Sequence, residues 1–314
     1  MGQPSVRLKN LALLVLGVLA VSTGAILIRL AMSEAKPLVI AAYRLTFSAL
    51  ISILMVLLTR PNSALKLNKR MVGLMALSGF FLAMHFATWI SSLELTNVSS
   101  SVVLVSTTPL WVALLSPFFL KEKVKTRFYV GMLLAFLGGL IIAFNERCTF
   151  SGAGLSCGAD FGMQQPNSLL GLGLALIGAF MAAGYMLIGR KLSGEIDTVR
   201  YTAIIYSIAA LFLLFIVILR GDVLFTYSGR IWGLFIAMAI VPQILGHSVL
   251  NYSLQALPAT TVSIALLGEP VGSTILAMIF LKEMPSTLQL IGGMLIMIGI
   301  TYSVLPAKRM INGV

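Results

Sequence analysis

The sequence predicts an all-α polytopic membrane protein, with ten transmembrane helices arranged as two five-helix repeats of inverted topology. Composition is the first reason. Of 314 residues, 59% are hydrophobic and 10% are charged, and the mean hydropathy is +1.01. A water-soluble domain carries about 25% charged residues, so this chain has too few polar side chains to cover a wetted surface. Its wealth of Leu, Ile, Val and Phe excludes disorder for the opposite reason. The second and third reasons are ten apolar runs of bilayer length and a correspondence between the two halves of the chain.

A bilayer core takes about 20 apolar residues per helix. The runs are residues 11–31, 38–59, 71–93, 98–119, 128–145, 169–189, 201–219, 231–253, 259–281 and 287–305. Transmembrane β-strands would instead alternate in polarity over about ten residues, and no such segment is visible. The first run follows Arg7 and Lys9, as a signal peptide would. It stays apolar from Leu11 to Ile28, longer than the 7–15 residues of a signal core, and reads as a retained helix.

The net charge of +12 does not form one patch suited to nucleic acid; the basic residues punctuate the chain between apolar runs. With an even number of spans both termini share a side. If that side is inside, the inner segments hold Arg7, Lys9, Arg60, Lys66, Lys69, Arg70, Lys121, Lys123, Lys125, Arg127, Arg190, Lys191, Arg200, Lys308 and Arg309. The outer segments hold only Lys36, Arg147, Arg220, Arg230 and Lys282. That threefold excess predicts cytoplasmic termini by the positive-inside rule.

One connection is long. The Gly/Ser-rich stretch 146–168 lies on the predicted outer side and holds both cysteines, Cys148 and Cys157. An oxidising exterior permits a disulfide there; two free thiols in a flexible loop are the alternative. Their spacing, with no histidine nearby, is not a zinc pattern.

At an offset of 161 residues the ends of the two halves match without a gap. Phe119-Leu120-Lys121-Glu122 falls on Phe280-Leu281-Lys282-Glu283, Ser92-Leu93 on Ser253-Leu254, Pro109 on Pro270, Gly131 on Gly292 and Gly138 on Gly299. Five spans is an odd number, so the second copy enters the membrane upside down. This explains Lys282, which otherwise violates the charge rule. The expected units are residues 1–147, an outer loop 148–167, residues 168–306 and a cytoplasmic tail 307–314. Inverted repeats are the architecture of secondary transporters, whose site lies at mid-membrane between the repeats.

These features together resemble the EamA-type branch of the drug/metabolite transporter superfamily. The resemblance rests on the ten spans, Gly268-Glu269-Pro270, the paired Phe-Leu-Lys-Glu ends, Arg44 after Pro37, His85-Phe86-Ala87-Thr88-Trp89, and Gly246-His247-Ser248 with Asn251. It covers residues 11–305 and departs only in the long cysteine-bearing loop. It implies an inner-membrane permease exporting small metabolites such as amino acids, with a central cavity between the two halves.

Ionisable groups inside a bilayer are costly and ask for a reason. Three lie within spans: Arg29, Arg44 and Glu269. Arg29 is close enough to its helix end to snorkel to the outer interface, with Glu34 as a partner. Arg44 lies seven residues beyond Pro37, roughly 10 Å into the helix, where it either clamps two helices or holds a substrate carboxylate. Glu269 sits mid-span before Pro270, which removes a backbone donor, with Gly268 and Gly272 thinning the helix for backbone approach to a ligand. Such a broken helix is tolerated only where protein or a cavity satisfies the freed groups. Desolvation favours the neutral form of a carboxyl, which makes Glu269 the candidate for proton coupling. Thr108 holds the matching position in the first half.

The two histidines fall at nearly matched positions, since the offset places His247 on Phe86, next to His85. At helical spacing His85 shares a face with Trp89, and Gln243, His247 and Asn251 form an i, i+4, i+8 stripe. Trp89 offers a ring face to an ammonium group, and Tyr43 and Tyr185 are further lining candidates. The expected substrate-binding set is thus Tyr43, Arg44, His85, Trp89, Thr108, Tyr185, Gln243, His247, Asn251 and Glu269. The stripe Gly131, Ala135 and Gly139 reads as close helix packing, either within the chain or between the copies of a homodimer.

No nucleotide, metalloprotease or hydrolase motif appears, and no cofactor or metal is expected. The expected partners are membrane lipid and a small-molecule substrate moved on a gradient. Arg44 with Glu269 suits a zwitterion; an acid with aromatics alone would suit efflux of lipophilic cations. A membrane-embedded enzyme or a non-transporting receptor would leave Glu269 without a role.

Overall fold

The computed structural model describes residues 4–59, 68–120, 126–145, 148–151, 154–157, 167–256 and 266–304. In chain order the helices are α1 (Pro4–Ser22), α2 (Gly24–Ala31), α3 (Pro37–Thr59), α4 (Lys69–Leu95), α5 (Val98–Val105), α6 (Thr108–Leu120) and α7 (Thr126–Asn145). They continue with α8 (Ser168–Leu192), α9 (Thr198–Leu219), α10 (Gly229–Met238), α11 (Val249–Ala256), α12 (Gly268–Leu276) and α13 (Thr287–Val304). A π-helical segment, Ala239–Ser248, joins α10 to α11, and a shorter one, Ala277–Leu281, extends α12.

Eight helical stretches are long and apolar enough to cross a membrane, and Gly268–Leu281 and Thr287–Tyr302 are shorter apolar helices among the described residues. Their ends follow local chemistry. Proline opens α3 at the position where its missing N–H costs nothing. Asn68, Asn97 and Asp197 cap α4, α5 and α9 by accepting backbone N–H groups from Met71, Ser100 and Arg200. The protein is a multi-pass membrane protein: Leu54, Leu58, Phe136, Leu211, Phe215, Ile279 and Phe280 turn exposed apolar side chains outward, as a lipid-facing surface requires.

Inside, α4 lies against α8 and α9, and α3 packs along α9. The second contact system joins α7 to α13 through glycine. A methyl group on Gly138 would lie 2.4 Å from the Gly292 carbonyl oxygen, and one on Gly299 the same distance from that of Gly131. The two backbones therefore touch, antiparallel. The stripe containing Gly131 and Ala135 is a seam within the chain, because the Ala135 nitrogen also lies against Gly299, whereas Gly139 faces Leu104 across ordinary packing distance.

The long connection contains a two-stranded antiparallel hairpin, β1 (Cys148–Ser151) and β2 (Gly154–Cys157). Its register sets Cys148 directly opposite Cys157. Residues 257–265, part of the ninth apolar run, and the tail after residue 304 lie outside the described residues.

Candidate functional site

Two turns ahead of prolines frame the site. In the first half the chain turns at Ser106 and Thr107 between α5 and α6; in the second it turns at Leu267 before α12. These positions correspond at the 161-residue offset, each just ahead of a proline, Pro109 or Pro270. Proline as the second residue of α6 and the third of α12 lies in a first turn, where its missing backbone donor costs little, so one sequence device marks both turns.

Between the turns is a cavity of about 770 Å³, including its mouth, lined by His85, Trp89, Thr108, Tyr185, His247, Asn251 and Glu269. Seven of the ten predicted residues thus meet on one surface. His85 stacks on Trp89 with centroids 5.9 Å apart, and its Nδ1 is 2.9 Å from the Gly178 carbonyl oxygen. Tyr185 donates to Asn251 Oδ1 at 2.8 Å. Thr108 Oγ1 donates back to Val105 O at 2.8 Å. Among the described residues, Glu269 makes neither a hydrogen bond nor an ion pair, so its carboxyl is available to a ligand. No three His, Cys, Asp or Glu side chains among the described residues stand close enough to hold a metal.

The other three predicted residues lie away from this surface. Tyr43 belongs to an aromatic cluster: its ring stacks on Phe235 at 4.9 Å, meets Trp232 edge-on, and its hydroxyl donates to Leu224 O at 2.6 Å. Arg44 and Gln243 are fully buried behind the cavity wall, joined by Arg44 Nε to Gln243 Oε1 at 2.8 Å. The predicted stripe assumed α-helical periodicity through Gln243, His247 and Asn251. The π-helical segment widens the turn, which leaves His247 and Asn251 on the cavity and aims Gln243 at Arg44.

Arg44 is poorly compensated. Its Nη1 and Nη2 have no hydrogen-bond partner, and neither have Gln243 Nε2 and Trp89 Nε1. The Phe86 ring covers the guanidinium at 4.3 Å. A cation–π contact of that kind is worth about 0.5–2 kcal/mol, short of the several kcal/mol that burying an unpaired ion costs. Phe86 was not singled out from sequence as a site residue, yet its ring also meets His247 edge-on at 5.7 Å. The signal was present in the sequence, where Phe86 and His247 correspond at the 161-residue offset.

Gly268 and Gly272 serve packing here and not ligand approach. A methyl group on Gly268 would crowd Val18 at 2.9 Å, and one on Gly272 would crowd Ser22 at 2.5 Å, so both admit α1. Arg29 takes a different partner from Glu34. Its guanidinium donates to Glu283 at 2.6 Å and to Leu93 O at 2.7 Å, and Glu283 also accepts the Val98 N–H at 2.9 Å. Glu34 instead accepts the backbone N–H and hydroxyl of Ser228, which hold its carboxyl below the usual carboxylate range. The Arg29–Glu283 clasp ties α2, α4, α5 and the turn before α13 together at the predicted outer end.

A bundle of apolar helices around a polar-lined cavity is the form of a membrane transporter. The chain belongs to the EamA-like transporter family, whose model matches twice, at residues 8–144 and 169–305. It is 26% identical over 265 residues to the pseudopaline exporter CntI of Pseudomonas aeruginosa, covering 84% of this chain and 86% of that one. It is 23% identical over 297 residues to an uncharacterized transporter of Archaeoglobus fulgidus, covering 93% and 96%. A crystal structure 20% identical in sequence superposes with a TM-score of 0.64 over 94% of this chain and 96% of the other, which supports the fold alone. Family and relatives make this a non-enzymatic membrane transporter.

Proposed function

We propose that the chain is a secondary transporter, working as an exporter, that moves small polar metabolites such as amino acids or related compounds by alternating access in the inner membrane. Its units are two five-helix repeats of inverted topology, residues 1–147 and 168–306, joined by the outer loop 148–167, with both termini and the tail 307–314 cytoplasmic. The observation that carries this reading is the symmetry of contacts. Gly138 meets Gly292 while Gly131 meets Gly299, and the offset exchanges one contact for the other. Phe86 meets His247, its own counterpart. Two halves related by a two-fold axis in the membrane plane can open to either side at similar energy.

The Arg29–Glu283 clasp closes the outer end in this conformation, so the cavity is served from the inner side. Arg190 holds the position equivalent to Arg29 at the opposite end of the bundle, where inversion carries it. Glu269, unpaired in the cavity, is the proton-coupling group, and His85, Trp89, Thr108, Tyr185, His247 and Asn251 are the solute contacts. The name of the Pseudomonas relative supports export of a small molecule.

Counterflow in proteoliposomes tests this reading. Vesicles preloaded with a mixture of unlabelled amino acids should take up external labelled members of that mixture faster than protein-free vesicles. Uptake no faster than in protein-free vesicles across the twenty common amino acids contradicts the substrate class.

A further inference from the structure

We infer that Arg44, Gln243 and Trp89 form a carboxylate-binding subsite one side chain deeper than the open cavity, so that the solute is held by its carboxylate. This inference rests on the transporter reading above and names the group on the solute that the site selects.

Among the described residues, four unpartnered buried donors gather behind this wall, Arg44 Nη1 and Nη2, Gln243 Nε2 and Trp89 Nε1, while the unpartnered Ser106 hydroxyl on the cavity lining can donate as well as accept. The one acceptor on these side chains, Gln243 Oε1, is already taken by Arg44 Nε. Buried polar groups are ordinarily paired, and those that are not call for a reason. A cluster that offers only N–H groups around a fixed positive charge matches a group that only accepts and is negative, which describes a carboxylate. An ammonium would leave every one of these donors unsatisfied, and a neutral amine, with one lone pair, could accept from only one of them.

The position fits a solute that also fills the cavity. Trp89 belongs to both surfaces, since its ring lines the cavity while its Nε1 is buried with the donors. Arg44 Cζ lies 4.3 Å from the Phe86 ring centroid and 5.9 Å from that of Trp89. The Trp89 ring touches both the cavity and the guanidinium, so a change of its rotamer is the shortest way to connect the two spaces. On the far side Gly24 keeps the helix backbone clear, its α-carbon bearing nothing where a methyl group would come within 3.6 Å of Arg44 Nη1 and 3.7 Å of Trp89. Glu269, on the cavity lining and without a hydrogen-bond partner among the described residues, takes the other end of the solute. A molecule with a carboxylate and an ammonium spans the two, and the apolar wall of Leu82, Val105, Met186, Leu250 and Leu266 accepts its side chain.

Binding to the purified full chain, read as a rise in melting temperature, tests this with matched triads. Each triad is an amino acid, its decarboxylated amine and its deaminated acid: L-leucine, isopentylamine and 4-methylpentanoate; L-phenylalanine, phenethylamine and 3-phenylpropanoate; and the remaining common amino acids treated alike. At least one amino acid should bind, and loss of its carboxylate should weaken binding by about tenfold or more. Arg44→Gln should abolish that preference. Because Arg44→Gln can also disturb folding, Gln243→Glu is the second arm. It supplies an internal carboxylate to the same donors, so the unliganded protein should melt higher and carboxylate-bearing compounds should no longer bind.

Amines binding as tightly as their amino acids, no response from any carboxylate-bearing compound, or Gln243→Glu binding like the parent protein would each overturn the subsite. Counterflow separates the two levels. Solutes transported equally by the parent and Gln243→Glu proteins refute the subsite and leave the transporter reading intact. Arg44-dependent binding without any transport refutes the transporter reading and leaves the subsite.

Discussion

Replacing Gly138 with alanine places a methyl group 2.4 Å from the Gly292 carbonyl oxygen and 2.9 Å from Ile296 Cγ1. Neither can yield cheaply, because the first is backbone and the second is held in the same seam. Overpacking of this kind costs about 1–3 kcal/mol. Gly→Ala in a helix also returns up to about 1 kcal/mol of intrinsic propensity, so the proper reference is the neighbouring Gly139→Ala, where the nearest atom is Leu104 Cδ2 at 3.8 Å. Propensity cancels between the two, and Gly138→Ala should be less stable than Gly139→Ala by about 1–3 kcal/mol. Gly299 is the counterpart of Gly138, its methyl group falling 2.4 Å from the Gly131 oxygen and 2.9 Å from the Ala135 nitrogen, so Gly299→Ala should cost a similar amount. The two contacts are seven residues apart along α13, roughly 10 Å, and should combine almost additively. Reversible unfolding in mixed micelles measures all four proteins. Gly138→Ala as stable as Gly139→Ala would refute the backbone contact, and a large loss at only one of the pair would refute the two-fold relation.

Three further outcomes are expected. Weakening the outer clasp with Glu283→Gln removes a charge-assisted bond worth about 1.5–3 kcal/mol, so a cysteine at Thr108 should react faster with an impermeant thiol reagent added outside; an unchanged rate contradicts closure by Arg29 and Glu283. Cysteines at Ser63 and Ala307 should be labelled only from inside and one at Ser228 only from outside, and labelling of Ser63 on intact cells overturns the orientation. The hairpin sets Cys148 opposite Cys157, so mass spectrometry of protein isolated without reductant should find them bonded and transport unaffected by their replacement; two free thiols reject the bridge.

The parts of this protein most legible in its sequence are those governed by one-dimensional rules. Bilayer thickness sets the length of apolar runs, and the eight membrane-length helical stretches start and stop within a few residues of those runs. Pro270 marked a helix break for the same reason, since a missing donor acts locally, whereas Pro109 was matched to it at the repeat offset without being read as a break. Side-chain direction was harder. Gln243 left its expected face because Ala239–Ser248 winds as a π-helix, which nothing in residue spacing announces. Tyr43, flanked by small residues, looked like a cavity residue but found Trp232 and Phe235, far away in sequence. Arg29 found Glu283 and not the nearby Glu34, a pairing that depends on how the two halves come together. Gly268 and Gly272 were correctly read as points of close approach, and only the three-dimensional neighbour, α1, distinguishes a helix from a ligand. Polar groups that cost energy in a bilayer gather where a cavity relieves that cost, and seven of the ten singled out from sequence line one cavity.

The proposed function assigns proton coupling to Glu269, and Glu269→Gln in proteoliposomes tests that assignment. The amide keeps the volume of the side chain and its capacity for hydrogen bonds but cannot exchange a proton. Downhill counterflow of solute should survive in the variant, while accumulation driven by an imposed pH gradient should fall to the level of protein-free vesicles. Undiminished pH-driven accumulation by Glu269→Gln would contradict the coupling role and leave the residue only a structural one.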